Sequence, residues 1–213
     1  MSKSLRAFSL LAAVGFAALV VAQVTPVFAA NQALIGKKLL IKNNTDTSKN
    51  KTVILIKDPT IVAPVSQPTT GTICIVGATN DSELDASDDA DPGEWDAIGG
   101  GFKYKRGGGI AGDPCKVVLL KGGKLAKAVC KGPDVDYPVG NGGPINVAIV
   151  AGGEKYCAAF GDPMDPGACT EAKDGSNGTT YLSKNCTGAG NCAAFGGTAC
   201  SPSGAFLDTA SLF

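Results

Sequence analysis

Histidine is absent from the chain of 213 residues, and aromatic residues make up only 6% of it, with a single tryptophan. Without histidine, Ser-His-Asp and Cys-His catalysis and histidine-ligated metal sites are excluded. The 19 basic and 19 acidic side chains balance, so the chain lacks the basic excess that nucleic-acid binding requires. We therefore predict a protein without catalytic residues and without a nucleic-acid partner.

The N-terminus has the order of segments of a secretory signal peptide. Lys3 and Arg6 precede an apolar run over residues 7–22, and small residues follow at 29 and 30. As a helix this run would span about 24 Å, short of the roughly 30 Å of a hydrocarbon core, which disfavours the alternative of a retained membrane anchor. We predict cleavage after Ala29, secretion to the extracellular space or periplasm, and no stable membrane span after cleavage.

Eight cysteines follow the predicted signal, and an even number in an exported chain favours disulfides over free thiols. A structural zinc site would need close C-x-x-C pairs, which the chain lacks. Eight cysteines allow on the order of a hundred pairings, so the connectivity stays open. We predict that all eight form disulfides: Cys74, Cys115, Cys130, Cys157, Cys169, Cys186, Cys192 and Cys200.

Short apolar runs bounded by Gly, Pro and Asn recur after the signal, a pattern typical of strands. They predict an all-β fold, an antiparallel sandwich or small barrel of about eight short strands, with a loop-rich, disulfide-stapled C-terminal tail. Residues 58–70 contain three prolines and are predicted to form an extended connection. The predicted domains are a signal at 1–29, a sandwich at 30–160 and a cysteine-rich tail at 161–213. The predicted strands are residues 37–42, 51–57, 71–77, 101–106, 115–121, 124–130, 144–151 and 154–160.

Two glycine pairs mark hairpin turns, because glycine tolerates positive φ. Around Gly122-Gly123 we predict that Leu120 pairs with Leu125 and Cys115 with Cys130, with a disulfide between these cysteines. This register places Val117, Leu119, Ala126 and Ala128 on the core face with the two cysteines. The second hairpin, around Gly152-Gly153, is predicted to set Cys157 near Ala148. A Cys74–Cys157 bridge then follows by elimination, with the other four cysteines left to the tail.

The sequence Cys157-Ala-Ala-Phe-Gly recurs at Cys192, 35 residues later, and a further cysteine follows each copy. The repeat predicts a degenerate duplication of a strand-end element, with chance similarity in a Gly- and Ala-rich region as the alternative. Residues 161–213 contain few large apolar side chains, so we expect disulfides to fix them.

Residues 81–96 are strongly acidic and include the single tryptophan, Trp95. Carboxylates are the ligands that calcium prefers, although the spacing does not match an EF-hand. We predict a loop here, either simply solvated or binding calcium as the one candidate cofactor. Carboxylate-based glycoside hydrolysis is a further alternative, weakened by the scarcity of aromatic residues for sugar stacking. The candidate calcium ligands are Asp85, Asp88, Asp89, Asp91, Glu94 and Asp96.

The segments GFKYK at 101–105, GDPCKVVLLKGGKLAKAVCKG at 112–132 and KYCAAFG at 155–161 resemble a module of uncharacterised secreted proteins of environmental bacteria. The resemblance covers residues 34–161 and implies export and a β module, with no activity attached; the second CAAFG departs from it. We expect a non-enzymatic structural, surface or binding protein that self-assembles or binds an extracellular ligand. The alternatives are a calcium-dependent binding module and a carboxylate-based secreted hydrolase.

Overall fold

The computed structural model describes residues 31–77, 81–85, 95–105, 114–135, 137, 145–161, 169–174 and 179–195. The predicted signal peptide lies outside these residues. Strands dominate the described residues, as predicted, and helix is limited to two single 3-10 turns, η1 (Thr47–Lys49) and η2 (Cys192–Ala194). The strands are β1 (Asn31–Leu34), β2 (Gly36–Lys42), β3 (Lys51–Ile56), β4 (Gly71–Val76), β5 (Asp81–Asp85), β6 (Trp95–Ile98), β7 (Gly101–Lys105), β8 (Cys115–Lys121), β9 (Leu125–Lys131), β10 (Ile145–Ala151), β11 (Glu154–Phe160), β12 (Cys169–Asp174) and β13 (Thr180–Cys186).

The strands form two open sheets, so the sandwich prediction is confirmed and the described strands do not close into a barrel. The five-stranded sheet has the order β1-β11-β10-β4-β5, and only its β1–β11 pair is parallel. The eight-stranded sheet has the order β12-β13-β2-β3-β9-β8-β7-β6 and is antiparallel throughout. All eight predicted strands are present within one or two residues of their predicted ends.

The inner faces of the two sheets share one apolar core. One ladder of directly opposed residues crosses the eight-stranded sheet, from Trp95 at the β6 edge to Ser183 on β13, and every member is buried. Strict alternation puts every second residue of each strand in this layer and turns the others outward. The ladder consists of Trp95, Tyr104, Val118, Ala128, Ile54, Leu39 and Ser183.

The β8–β9 hairpin differs from its predicted register by one residue. Lys121 pairs with Leu125, so the turn contains three residues, with Gly123 at φ 65°. The extra turn residue moves Val118 and Leu120 into the core, and the predicted core positions of Val117 and Leu119 are wrong. A bulge between Cys115 and Val117 then restores the alternation, and Cys115 faces Cys130 as predicted.

The Cys115–Cys130 disulfide is confirmed, whereas the predicted Cys74–Cys157 bridge is wrong. Cys157 does lie opposite Ala148, but it bonds Cys192, the first residue of the second CAAFG copy. The even division of the cysteines between sandwich and tail is therefore wrong as well. Cys169 bonds Cys186, and Cys74 is also disulfide-bonded.

The described segments of the predicted tail, residues 169–174 and 179–195, contact both sheets. The β12–β13 hairpin extends the eight-stranded sheet beside β2, and the buried Tyr181 hydroxyl donates a 3.1 Å hydrogen bond to the Phe160 carbonyl. Residues 192–195 instead cover the outer face of the five-stranded sheet, where Cys192 and Phe195 pack with Cys74, Ala148 and Cys157. The first CAAFG copy lies in β11 and the second contains η2, so the two copies do not share one conformation.

Residues 57–70 form a strap over one end of the sandwich, consistent with the predicted extended connection. The Gly123 amide donates to the Ile61 carbonyl at 2.7 Å, which ties the strap to the β8–β9 turn. A Cβ on Gly152 would lie 3.3 Å from Pro64, so the strap also touches the β10–β11 turn. The strap therefore contacts one hairpin of each sheet.

Candidate binding face

Three lysines stand directly opposite one another on neighbouring strands of the eight-stranded sheet. Lys51 on β3 pairs with Lys42 on β2 and with Lys131 on β9. The inner face of these strands carries buried residues, so alternation turns the lysines outward, where all three keep solvent exposure. We name Lys42, Lys51 and Lys131 the lysine row.

An aliphatic row runs beside the lysine row, at the outward-facing positions two residues away on each strand. Five side chains from five adjacent strands oppose one another in it, and all are half-buried. At about 4.8 Å between strands, the row is roughly 19 Å wide. Its members are Val117, Val129, Val53, Leu40 and Leu182.

A mixed row lies on the far side of the aliphatic row, where lysine and leucine alternate from β7 to β2 and β13 adds a further lysine. The lysine face is defined here as these three rows together. Among strands with described side chains, the acidic residue on the same side of the sheet is Asp96 at the β6 edge, and the β12 backbone sets Glu171 opposite Lys184 at the other edge. The mixed row consists of Lys103, Leu119, Lys127, Leu55, Lys38 and Lys184.

The lysine face departs from the usual pairing rule of sheets. Like charges directly opposite on adjacent strands are destabilising, whereas opposite charges stabilise the pair. The face nonetheless contains the Lys42–Lys51 and Lys51–Lys131 pairs. A departure from local rules without a compensating gain in the fold is typical of a functional surface.

The predicted acidic loop is in part strand. Asp85 ends β5, an edge strand of the five-stranded sheet, and Asp96 is an exposed residue of β6, an edge strand of the other sheet. The other four candidate ligands, Asp88, Asp89, Asp91 and Glu94, lie outside the described residues. No group of metal-binding side chains occurs in the part of the chain that the structure describes.

Trp95 is a core residue rather than part of a surface site. It is 2% exposed and its ring packs against Tyr104 with centroids 5.5 Å apart. Its carbonyl also accepts a hydrogen bond from the Gln67 amide of the strap. The side chain is therefore buried away from any sugar that would need it for stacking.

Two ionisable side chains with shifted pKa values hold the strap. Burial favours the neutral form of Asp58, but its hydrogen bonds from the Thr60 hydroxyl, the Thr60 amide and the Ile35 amide outweigh this and hold its pKa below the ordinary 3.8. Burial, and then the Glu154 carboxylate, raise the pKa of Tyr156, whose hydroxyl donates to the Val62 carbonyl at 2.9 Å. Both groups are used in structural bonds.

The lysine face is the candidate site that pattern analysis of the sequence missed. Its signal is present in the strands KTVILI and LAKAVCK, where lysine and aliphatic residues alternate with the buried positions. Each strand alone resembles an ordinary solvated strand. Only the pairing of β2, β3 and β9 shows that their lysines meet.

The described disulfides indicate an oxidising compartment, extracellular or periplasmic. Within the described residues, no helix has both the length and the apolar character needed to cross a membrane. Comparison with known protein families, with curated proteins and with solved structures finds no match. The candidate site is thus defined by geometry and charge alone.

Proposed function

We propose that this chain is a secreted, non-enzymatic protein that binds an anionic extracellular ligand through the lysine face. The observation that carries the proposal is the lysine row, in which three cations are held opposite one another across three strands. An anionic partner relieves this repulsion, whereas water and salt only screen it. Binding therefore recovers the free energy that the repulsion among the three lysines costs the unbound protein.

Chemistry and compartment support the same proposal. The predicted signal peptide and the oxidised cysteines suit an extracellular protein. The cysteines among the described residues are all disulfide-bonded, which leaves them no thiolate for nucleophilic catalysis. Asp58 and Tyr156, whose pKa values are shifted, serve the strap rather than a cleft.

Lysine footprinting tests the proposal. The mature protein is acetylated in buffer and with the surface fraction of cells that produce it, and the modified lysines are mapped by mass spectrometry. We expect selective protection of Lys51 and Lys127, while Lys49 in η1 and Lys124 in the β8–β9 turn serve as matched reference positions outside the strands. Equal modification of both groups in the two conditions contradicts the proposal.

The calcium and hydrolase alternatives have no support among the described residues, because Asp85 and Asp96 lie on strands of different sheets. Calorimetric titration with Ca²⁺ distinguishes the calcium alternative. Heat of binding that disappears when Asp88 and Asp89 are changed to Asn supports calcium, and a flat trace removes it.

A further inference from the structure

We propose that the ligand of the lysine face is an anionic lipid surface. This inference rests on the proposed function and adds the chemical class of the partner. The lysine row alone would suit any polyanion, so the choice depends on what lies between the charges. That feature is the aliphatic row, which separates the lysine row from the mixed row.

Three central strands present the densest part of the face. Sheets twist by roughly 20 to 25° per strand, so strands far from the centre turn away from a flat partner. On β9, β3 and β2 the three rows give five lysines and four aliphatic residues within about 10 Å by 13 Å. These positions are Lys131, Lys51, Lys42, Val129, Val53, Leu40, Lys127, Leu55 and Lys38.

This combination matches the boundary between lipid headgroups and acyl chains. Surfaces that rest on a membrane combine apolar side chains with lysines beside them, and their affinity grows with both apolar burial and attraction to anionic lipids. A lysine side chain can lay its apolar stem beside Val53 or Leu40 while its ammonium group stays at the headgroups. Cations on both sides of the aliphatic row fit this arrangement.

A soluble polyanion satisfies only half of the face. Its charges neutralise the lysines, but it offers no apolar surface to the half-buried Val129, Val53 and Leu40, whose exposed parts remain in water. Stacking partners for sugar rings are also lacking among the described side chains of the three central strands. The aliphatic row therefore favours lipid over an acidic polysaccharide.

The test measures binding of the mature protein to vesicles by co-sedimentation. One set contains phosphatidylcholine with about one third phosphatidylglycerol, and the other contains phosphatidylcholine alone; dextran sulfate serves as the soluble polyanion. We expect binding to the anionic vesicles that weakens with salt, and far weaker binding to the neutral vesicles. Binding equal on both vesicle types, or absent from the anionic ones, overturns the lipid proposal.

Matched lysine variants locate the contact. Since each lysine near an anionic surface contributes about fivefold in affinity, K51Q/K127Q should bind the anionic vesicles about 25-fold more weakly. The control K49Q/K124Q removes the same charge from two turns and should change binding less than about threefold. Equal losses in the two variants mean that only net charge matters, which contradicts the proposal.

A second pair separates lipid from polyanion. V53T/V129T keeps the β-branched shape and the charge but removes apolar surface from the aliphatic row. We expect vesicle binding to fall severalfold while dextran sulfate binding stays unchanged, with a thermal melt confirming that the variant is folded. Unchanged vesicle binding overturns the lipid assignment. In that case, protection of the lysines on the producing cells still supports the proposed anionic-ligand function. The absence of that protection contradicts both the lipid assignment and the proposed function.

Discussion

The outer faces of the two sheets differ in what they carry and in what covers them. On the five-stranded sheet small side chains face outward, including Cys74, Ala148 and Cys157, and Cys192 and Phe195 of the C-terminal residues pack on them. On the eight-stranded sheet lysines alternate with valine and leucine, and these side chains retain solvent exposure.

The difference shows how side-chain size and charge assign a face to internal or external contacts. Small residues let another segment approach closely: a Cβ on Gly190 would lie 2.4 Å from the backbone of Ala158. A lysine fits under such a segment where its ammonium group finds a partner, as the buried Lys155 does by donating to the Phe195 carbonyl at 3.3 Å, whereas burying an unpaired ammonium group is costly. One face thus completes the fold, and the other is left for solvent or a partner.

The strongest way to break this comparison is to remove a disulfide that holds residues 192–195 on the outer face of the five-stranded sheet. The Cys157–Cys192 disulfide joins positions 35 residues apart. We expect C157A/C192A to lose about 3 to 4 kcal/mol of unfolding free energy in the chain-entropy model. Urea unfolding measures this loss, and hydrogen exchange should rise at Cys74 and Ala148 on the newly uncovered face.

The C115A/C130A variant is the matched control. Its disulfide closes a 15-residue separation within one hairpin, so we expect a loss of about 3 kcal/mol without faster exchange on the outer face of the five-stranded sheet. If both variants raise exchange there equally, the C-terminal residues do not protect that face specifically.

A smaller change tests the close approach itself. Gly190 donates its amide to the Leu34 carbonyl at 2.9 Å, and a methyl group there meets the β11 backbone. Overpacking of this kind costs about 2 kcal/mol, so we expect G190A to unfold at correspondingly lower urea. Replacement of the exposed neighbour, A189S, should leave the urea midpoint almost unchanged. Equal midpoints for G190A and the parent protein would show that the segment can shift without loss.

Acidification should weaken the strap that contacts both sheets. The folded pKa of Asp58 lies below its ordinary 3.8, so the carboxylate's contribution is present above that value and is lost as the pH falls through the folded value. We expect D58N to cost about 1 kcal/mol near neutral pH and to unfold with a weaker dependence on pH below about 5. Urea midpoints across this pH range measure the effect.

The exposed Asp134 provides the control for Asp58. D134N removes the same charge outside the strap and should retain the pH profile of the parent protein. A D58N profile as steep as the parent's would assign the acid sensitivity to other carboxylates.

Local sequence patterns predicted the strands well, because the alternation that marks a strand depends only on the residues of that strand. The β10–β11 pairing around Gly152 and Gly153 was correct, since a two-residue turn with both φ values positive fixes the register. The β8–β9 register was wrong because Lys124 joins the turn and a compensating bulge follows at Cys115. Neither event leaves a clear trace in the alternation of the sequence.

Long-range contacts could not be predicted in the same way. Elimination paired Cys74 with Cys157 because both lie in apolar strands, yet the structure brings Cys192 onto β11 from 35 residues away. The lysine face was missed for a similar reason. Lys42, Lys51 and Lys131 meet only because β3 lies between β2 and β9, and this strand order is not encoded in any one strand.

The smallest expected effect has the opposite sign and sharpens the comparison most. Lys51 lies opposite two lysines, so K51T should stabilise the fold by about 0.5 kcal/mol, and added salt should reduce this gain. The control is K105T, because Lys105 is an exposed strand lysine opposite Val117 rather than another lysine. Urea unfolding at low and high salt measures both variants. A K51T variant no more stable than K105T would show that the lysine row is not destabilising. If K51T alone gains stability and added salt reduces the gain, the lysine row lowers the stability of the fold. The contacts on the outer face of the five-stranded sheet, in contrast, raise it.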